Sequence, residues 1–377
     1  MRKIIFSVIG LLLLCGTIYA TTLDNNEPIK VGFVGCLTGT NSELGVNGMY
    51  GAMLAVAEIN EKGGVRNQPI ELIIKDDQGN PQIGLQEDEA LINEECVAII
   101  GHMTSDMAEK SIPFINQQKI LMISPTIALD TLSNQDDYFF RLIPSTSEQA
   151  KLFSSEIIKL GLNDVLVICP IQNEIFAKSI YNYLSSTLTK EKISTKMLEP
   201  IDFTKQSEVD ALVSAIIGSD AEALIIIASA DAVVQISQLL NAQEKQIFVF
   251  LPAWSMTNDL IKRGGSSVNQ FYGISYIDYQ NTTRAYEDFK NKYIQSYGEE
   301  PTFAAVMSYE SVMLLYQAMI ESDDLTSDHL KQAILEQEVY SGLQGEIHIN
   351  KFGDTVREEY IYQIIDGNFV KVNDDER

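Results

Sequence analysis

The chain has 377 residues, too many for one compact core, and its 45% hydrophobic and 8% aromatic content is ordinary for a globular protein. Its 52 acidic side chains outnumber 27 basic ones, giving a formal net charge of −25. That excludes a nucleic-acid binder, whose phosphate contacts need clustered Lys and Arg, and it favours solubility.

In chain order, the first segment reads as an export signal. Arg2-Lys3 form a positive start, Ile4 to Leu14 an apolar run, and Thr17-Ile18-Tyr19-Ala20 a cleavage site, so residues 1–20 are a signal peptide and the expected location is the periplasm. The run is too short to span a bilayer, and no later segment reaches about 18 consecutive apolar residues. The competing reading is a lipid anchor on Cys15, disfavoured because Leu14 is not the small residue a lipobox needs.

Ile29 to Leu37 is a strand, followed by a loop punctuated by Gly39, Gly45 and Gly48 and a helix with Met53, Val56, Ala57 and Ile59 on its apolar face. Gly63-Gly64 ends that helix. Ile70 to Ile74 is the next strand, leading into the turn-rich Asp76-Asp77-Gln78-Gly79-Asn80-Pro81, a helix over Gln82 to Ile92, and a strand at Val97–Ile100. This alternation predicts an α/β chain with parallel, doubly wound sheets.

The stretch from Ile99 to Pro125 is the most informative. Each of its ends is a short apolar run closing in glycine or hydroxyl residues: Ile99-Ile100-Gly101-His102-Met103-Thr104-Ser105 and Ile120-Leu121-Met122-Ile123-Ser124-Pro125. These are buried parallel strands whose carboxyl ends face a crevice, where ligands of open sheets bind. Ser105 can offer a backbone N–H and a hydroxyl at a helix start, which suits a carboxylate.

A second set follows Arg141-Leu142-Ile143-Pro144-Ser145, with strands at Val165–Ile168, Ala223–Ile227 and Ile247–Leu251 and helices near Glu148–Lys159, Ala177–Leu188, Ser207–Ile217 and Asp231–Leu240. Helices over Thr283–Tyr297 and Phe303–Glu321 and strands around Glu346–Asn350 and Tyr360–Ile365 complete the pattern. The chain is expected to pass between lobes near Pro144, Tyr276 and Gly345.

Catalytic signatures are missing: the sequence holds no Gly-x-Ser-x-Gly, no Gly-x-x-x-x-Gly-Lys-[Ser/Thr] and no His-Glu-x-x-His. Asp76-Asp77 could be imagined as a metal or acid/base pair, but adjacent residues of an extended stretch point to opposite sides, so a turn role is favoured. His102 lies beside the crevice with no nucleophile paired to it in sequence. Cys36, Cys96 and Cys169 have no zinc-like spacing and read as buried apolar residues. We expect no enzyme activity, no metal and no cofactor.

From Lys30 to about Val372 the chain resembles the leucine/isoleucine/valine-binding branch of type I periplasmic solute-binding proteins. The residues that carry this are Gly39–Gly51, Ala55-Val56-Ala57-Glu58-Ile59-Asn60 with Gly63-Gly64-Val65, and Asp76-Asp77 with Pro81. They continue through Ile100-Gly101, Ser105, Ile123-Ser124-Pro125, Tyr297-Gly298-Glu299-Glu300-Pro301 and Ala304-Ala305, to Gly342-Leu343-Gln344-Gly345-Glu346-Ile347 with Phe352-Gly353-Asp354 and Arg357. The resemblance implies two α/β lobes joined by three crossovers, residues 28–143 with 279–345 and residues 146–275 with 348–372. It implies hinge closure on a small amino acid, carboxylate or amide, a membrane ABC permease as partner, and a monomer. The same clamshell could instead present its solute to a membrane receptor or kinase.

The family's site transfers only in part. It implies that Thr104 and Ser105, then Ser124, Thr126 and Ala128, contact the ligand from the first lobe. Ser105 would hold a carboxylate, and Ala128 would donate its backbone N–H. In the second lobe the expected tyrosine falls on or near Glu174, and the next expected aromatic is Ala230, followed by Asp231. The acidic partner of an ammonium group aligns with Trp254. Asp231 could take over that contact or simply cap its helix. Trp254 is the only tryptophan, and it could form a ligand wall or pack between the lobes.

Overall fold

The computed structural model describes residues 27–280 and 283–372. The proposed signal peptide over residues 1–20, with Cys15, lies outside them.

The first lobe is built on β1 (Ile29–Gly35), β2 (Ile70–Asp76), β3 (Ala98–Ile100), β4 (Leu121–Ser124) and β5 (Phe139–Arg141) in the spatial order β2-β1-β3-β4-β5, all parallel. Helices α1 (Ser42–Glu61), α2 (Pro81–Asn93) and α3 (Ala108–Gln118) make its crossovers. Parallel strands buried on both faces need continuous apolar runs, and Ala98-Ile99-Ile100 and Leu121-Met122-Ile123 are fully buried as that requires. Helix α2 starts where the turn signal placed it. Asn80 accepts from Gln82 N and Ile83 N, and Pro81 occupies the first helical turn, where its missing N–H costs nothing.

The second lobe carries α4 (Thr146–Lys159), β6 (Asp164–Ile168), α5 (Glu174–Lys190), β7 (Ser194–Met197), α6 (Gln206–Ile217), β8 (Ala223–Ile226), α7 (Ala230–Ala242), β9 (Phe248–Leu251), α8 (Asn258–Gly264) and β10 (Tyr272–Ser275). After β10 the chain returns to the first lobe for α9 (Arg284–Tyr297), α10 (Phe303–Glu321) and α11 (Ser327–Gln337). It then passes through a small antiparallel sheet of β11 (Val339–Ser341), β12 (Glu346–Ile349) and β13 (Thr355–Val356), and ends on β14 (Tyr360–Ile365) and β15 (Asn368–Lys371).

The second sheet runs β15-β14-β10-β9-β8-β6-β7. Its last two strands are antiparallel, so this sheet is mixed where the sequence pattern predicts a parallel one. The chain crosses between lobes after Arg141, after Ser275 and through the small sheet. Arg141, 2% exposed, ties the first crossover to the third through an ion pair with Asp354 at 2.7 Å. Arg357 makes a second tie by donating to the Leu142 carbonyl at 3.3 Å, and its ion pair with Glu310 at 2.9 Å holds the third crossover to α10.

Helix α10 is long and apolar enough to cross a membrane by length and composition, but it is interrupted by Ser308, Glu310, Ser311 and Gln317 and lies in the core along α1. The two helices approach so closely that a Cβ on Gly51 would come within 2.0 Å of the Ala305 carbonyl oxygen. Hydrogen bonds from Tyr293 to Asn47 and from Tyr309 to Glu58 fix α1 against α9 and α10. Cys36, Cys96 and Cys169 are buried free thiols.

Candidate functional site

The loops after β1, β3, β4 and β5 face the loops after β6, β9 and β10, so the carboxyl ends of the two sheets look at each other across a cleft. At its centre is a cavity of ≈ 30 Å³, room for about two waters. The first lobe lines it with Leu44, Met103, Ser105, Thr126, Ile143 and Phe303, and the second with Gln149, Asn173, Phe176, Ala253, Trp254 and, at the crossover, Tyr276. Its walls are apolar and aromatic apart from Ser105, Thr126, Gln149, Asn173 and the Tyr276 hydroxyl, and none of these side chains is charged. A larger groove of ≈ 830 Å³ includes Glu222, Phe248 and Tyr272, at the amino ends of the second sheet's strands. Ligands of open α/β sheets bind at the opposite, carboxyl ends, so we assign the site to the cleft.

Of the residues singled out in the sequence, Ser105, Thr126 and Trp254 meet on this cavity. The Thr126 hydroxyl donates to the Met103 carbonyl at 2.7 Å, which ties the two first-lobe loops together. Thr104, Ser124, Ala128, Glu174 and Asp231 do not line it. Ser124 donates to the His102 carbonyl at 2.8 Å and accepts from Ile127 N at 3.0 Å, shaping the loop that carries Thr126. Ala128 accepts from Thr146 N at 2.6 Å, and Thr104 is a buried residue at the start of a 3-10 turn. Glu174 is paired with Lys178 at 2.6 Å. Asp231 is paired with Arg263 and lines a separate outer groove between the lobes, together with Gly39 and Glu43. The cap of α7 is Ser229 rather than Asp231.

The lobes also touch directly. Asp106 accepts from Asn173 N at 2.6 Å and from Ile175 N at 3.2 Å, so a first-lobe carboxylate caps the start of the second-lobe helix α5. Burial raises the Asp106 pKa, and the bonds from Asn173 and Ile175 work against that rise. In return the Asn173 side-chain oxygen accepts from Ser105 N at 3.1 Å. Sequence reasoning missed Asp106, Asn173, Gln149 and Tyr276 as cleft residues. Tyr276 alone carried a signal, its position at a crossover.

His102 does not reach the cavity. Fully buried, it lies between Asp77 at 2.8 Å and Asp88 at 3.1 Å, with the Ser111 hydroxyl at 3.0 Å. Burial opposes the imidazolium, but Asp88 and Asp77 outweigh it and push its pKa up to about 10. The ring is therefore a cation at neutral pH that donates to both carboxylates and anchors the loop three residues before Ser105. Asp76 does turn work, accepting from Leu37 N, Thr38 N and Gln78 N. Asp77 accepts from Gly79 N as well as binding His102, so the two adjacent carboxylates point to different tasks. Among the described residues, no group of His, Cys, Asp and Glu could hold a metal ion.

A family model described as periplasmic binding protein matches residues 28–368. This chain belongs to that family. Its members are substrate-binding proteins and not enzymes. The Leu/Ile/Val-binding protein of Escherichia coli strain K12 is 30% identical over 107 residues, 28% of this chain and 29% of that protein. The match thus spans under a third of the curated relative's length. In fold, this periplasmic binding protein is similar to the leucine binding protein LivK of Thermotoga maritima, with TM-score 0.82, 18% identity and coverage of 92% and 98%. It is also similar to a solute binding protein of an ABC transporter from Rhodopseudomonas palustris, solved in complex with benzoate, with TM-score 0.80, 17% identity and coverage of 92% and 96%.

Proposed function

We propose that this protein is an extracytoplasmic receptor that closes on a small amino acid or carboxylate and delivers it to an ABC transporter permease. The observation that carries the reading is the cavity itself, where Ser105 and Thr126 of one lobe meet Trp254 of the other. A relative named for branched-chain amino acids and a fold neighbour complexed with benzoate support both ligand classes. We take the moving bodies to be residues 28–143 with 279–345 and residues 146–275 with 348–372, working as a monomer in the periplasm.

The mechanism follows from size. A cavity of ≈ 30 Å³ cannot admit such a solute, so the lobes must part to load it and close by contacts from both sides. Closure then depends on ligand binding the closed form better than the open one. The test is thermal unfolding of the protein, stripped of co-purified ligand by partial denaturation, against amino acids, carboxylates and amides. A ligand at about a thousand times its Kd adds about 4 kcal/mol. At about 2–4 °C per kcal/mol, that is a shift on the order of 10 °C. A flat response to the whole panel would overturn the reading.

A further inference from the structure

Two side chains on the cavity have unmet hydrogen-bonding capacity. Gln149 is 1% exposed and Tyr276 3% exposed, and among the described residues neither Gln149 Oε1 nor the Tyr276 hydroxyl has a partner. A buried polar atom left unpaired is costly, and native structures keep few of them. Both belong to residues that line one small cavity between the lobes. With neither end of its amide bonded among the described residues, Gln149 can present Oε1 as an acceptor or Nε2 as a donor, and the Tyr276 hydroxyl can donate or accept. Together they suit a ligand group that both gives and takes hydrogen bonds, as a hydroxyl does.

Among the described residues no charged side chain lines this cavity; the buried carboxylate of Glu359 acts electrostatically on Tyr276 but is not part of the lining. Glu174 is turned to Lys178 and Asp231 to Arg263, and Glu43 lines the outer groove rather than the cavity. Trp254 stands where the resemblance expects the acidic partner. A cation held here would lose its hydration against apolar walls without an ion pair, which is prohibitive. A carboxylate is different, because neutral donors such as the Ser105 hydroxyl can hold it.

Resting on the reading above, we infer that Gln149 and Tyr276 set the specificity of this site for a small carboxylate that carries a neutral hydroxyl, not an ammonium group. Gln149 accepts the hydroxyl proton, and Tyr276 donates to the hydroxyl oxygen. The aromatic and aliphatic walls take the apolar body.

The experiment is calorimetric titration with two matched sets: L-leucine, 4-methylpentanoate and 2-hydroxy-4-methylpentanoate, then benzoate and 4-hydroxybenzoate. The inference expects a hydroxylated member to bind about tenfold or more tighter than its unhydroxylated parent, and leucine to bind weakest of its set. Gln149→Met and Tyr276→Phe should each erase the preference, read as the ratio of the parent acid's Kd to that of the hydroxylated acid. Neither should lower the melting temperature of the ligand-free protein, since each replaces an unpaired polar atom by an apolar one. A merely structural role would show the reverse, lost stability with the preference intact, and would overturn the assignment. Leucine binding as tightly as the hydroxy acid would overturn it too while the solute-receptor reading stands, and Glu43→Gln, Asp231→Asn and Glu359→Gln would show which carboxylate meets the ammonium group. Silence from every compound here, and from the wider panel, would overturn both.

Discussion

Asp106 and Asn173 face each other across the cleft, the carboxylate of the first accepting the backbone N–H of the second at 2.6 Å. The same carboxylate reaches Ile175 N, so it caps helix α5 only when the lobes are together. Asn173 returns the bond by accepting from Ser105 N, which the proposed function makes a donor to the ligand carboxylate. Under the proposed function, closure and ligand capture share one loop.

If the cap holds the lobes together, Asp106→Ala should shift the ligand-free protein toward an open form. Loss of a helix cap costs about 0.5–2 kcal/mol. Where the closed form is the one that binds, that loss weakens apparent affinity about 2- to 30-fold. Small-angle scattering should show a larger radius of gyration for the variant without ligand, and calorimetry a higher Kd. Unchanged scattering together with unchanged affinity would remove Asp106 from the closing mechanism.

Ser105→Ala isolates a different contribution. The substitution deletes the hydroxyl but keeps the backbone N–H that Asn173 accepts from. Binding of a carboxylate ligand should weaken by about 1–3 kcal/mol, the worth of a charge-assisted hydrogen bond. An affinity equal to wild type by calorimetry would show that Ser105 serves the lobe contact and not the ligand.

Trp254 makes the cleft visible. It is the only tryptophan in the chain, 7% exposed, and it lines the cavity from the second lobe. Its emission should shift or change intensity when ligand replaces its present surroundings. A constant spectrum during a titration that saturates by calorimetry would assign Trp254 to packing.

These residues differ in how far the sequence announced them. Strand ends could be read from apolar runs closing in hydroxyl residues, because buried parallel strands leave that pattern. Ser105 and Thr126 follow such ends directly, and Trp254 follows a strand that closes in Pro252-Ala253, so all three could be placed at strand ends. Asn173 and Asp106 were not, since their pairing joins loops 67 residues apart and depends on a left-handed backbone at Asn173, φ 71°. Gln149 lies inside a helix whose partners are set only when the lobes meet. His102 had the opposite fate, an apparent crevice residue absorbed by Asp77 and Asp88, which sequence spacing does not bring together.

The His102 cluster should govern stability. Breaking a buried ion pair by removing one partner costs about 3–5 kcal/mol, so Asp88→Asn should lower the melting temperature strongly. The folded-state pKa of about 10 lies above the ordinary histidine value of 6.5. Its stabilisation is therefore complete below about pH 6.5 and lost as pH rises through about 10. Melting temperatures should fall across that range in the wild type and fall less in Asp88→Asn. Parallel profiles for the two proteins would show that His102 is neutral in the fold.

Glu43 should make the cleft sensitive to milder pH. It lies at the start of α1 on the outer groove, where burial first and then Asp259, Asp231 and Glu299 push its pKa up to about 7, with Arg263 opposing. Asp231, Asp259 and Arg263 belong to the second lobe, and Glu299 follows α9 in the first. A raised carboxylate pKa means that the protonated form favours the folded, closed arrangement. That contribution is complete below about 4.5 and lost as pH rises through about 7. Glu43→Gln mimics the protonated form at every pH. The variant should therefore melt higher than wild type at pH 8, by about 2–4 °C for each kcal/mol relieved, and converge with it near pH 5. A difference that is constant from pH 5 to 8 would mean that Glu43 does not titrate in this interval, and that the acidic side chains around it are held apart by Arg263.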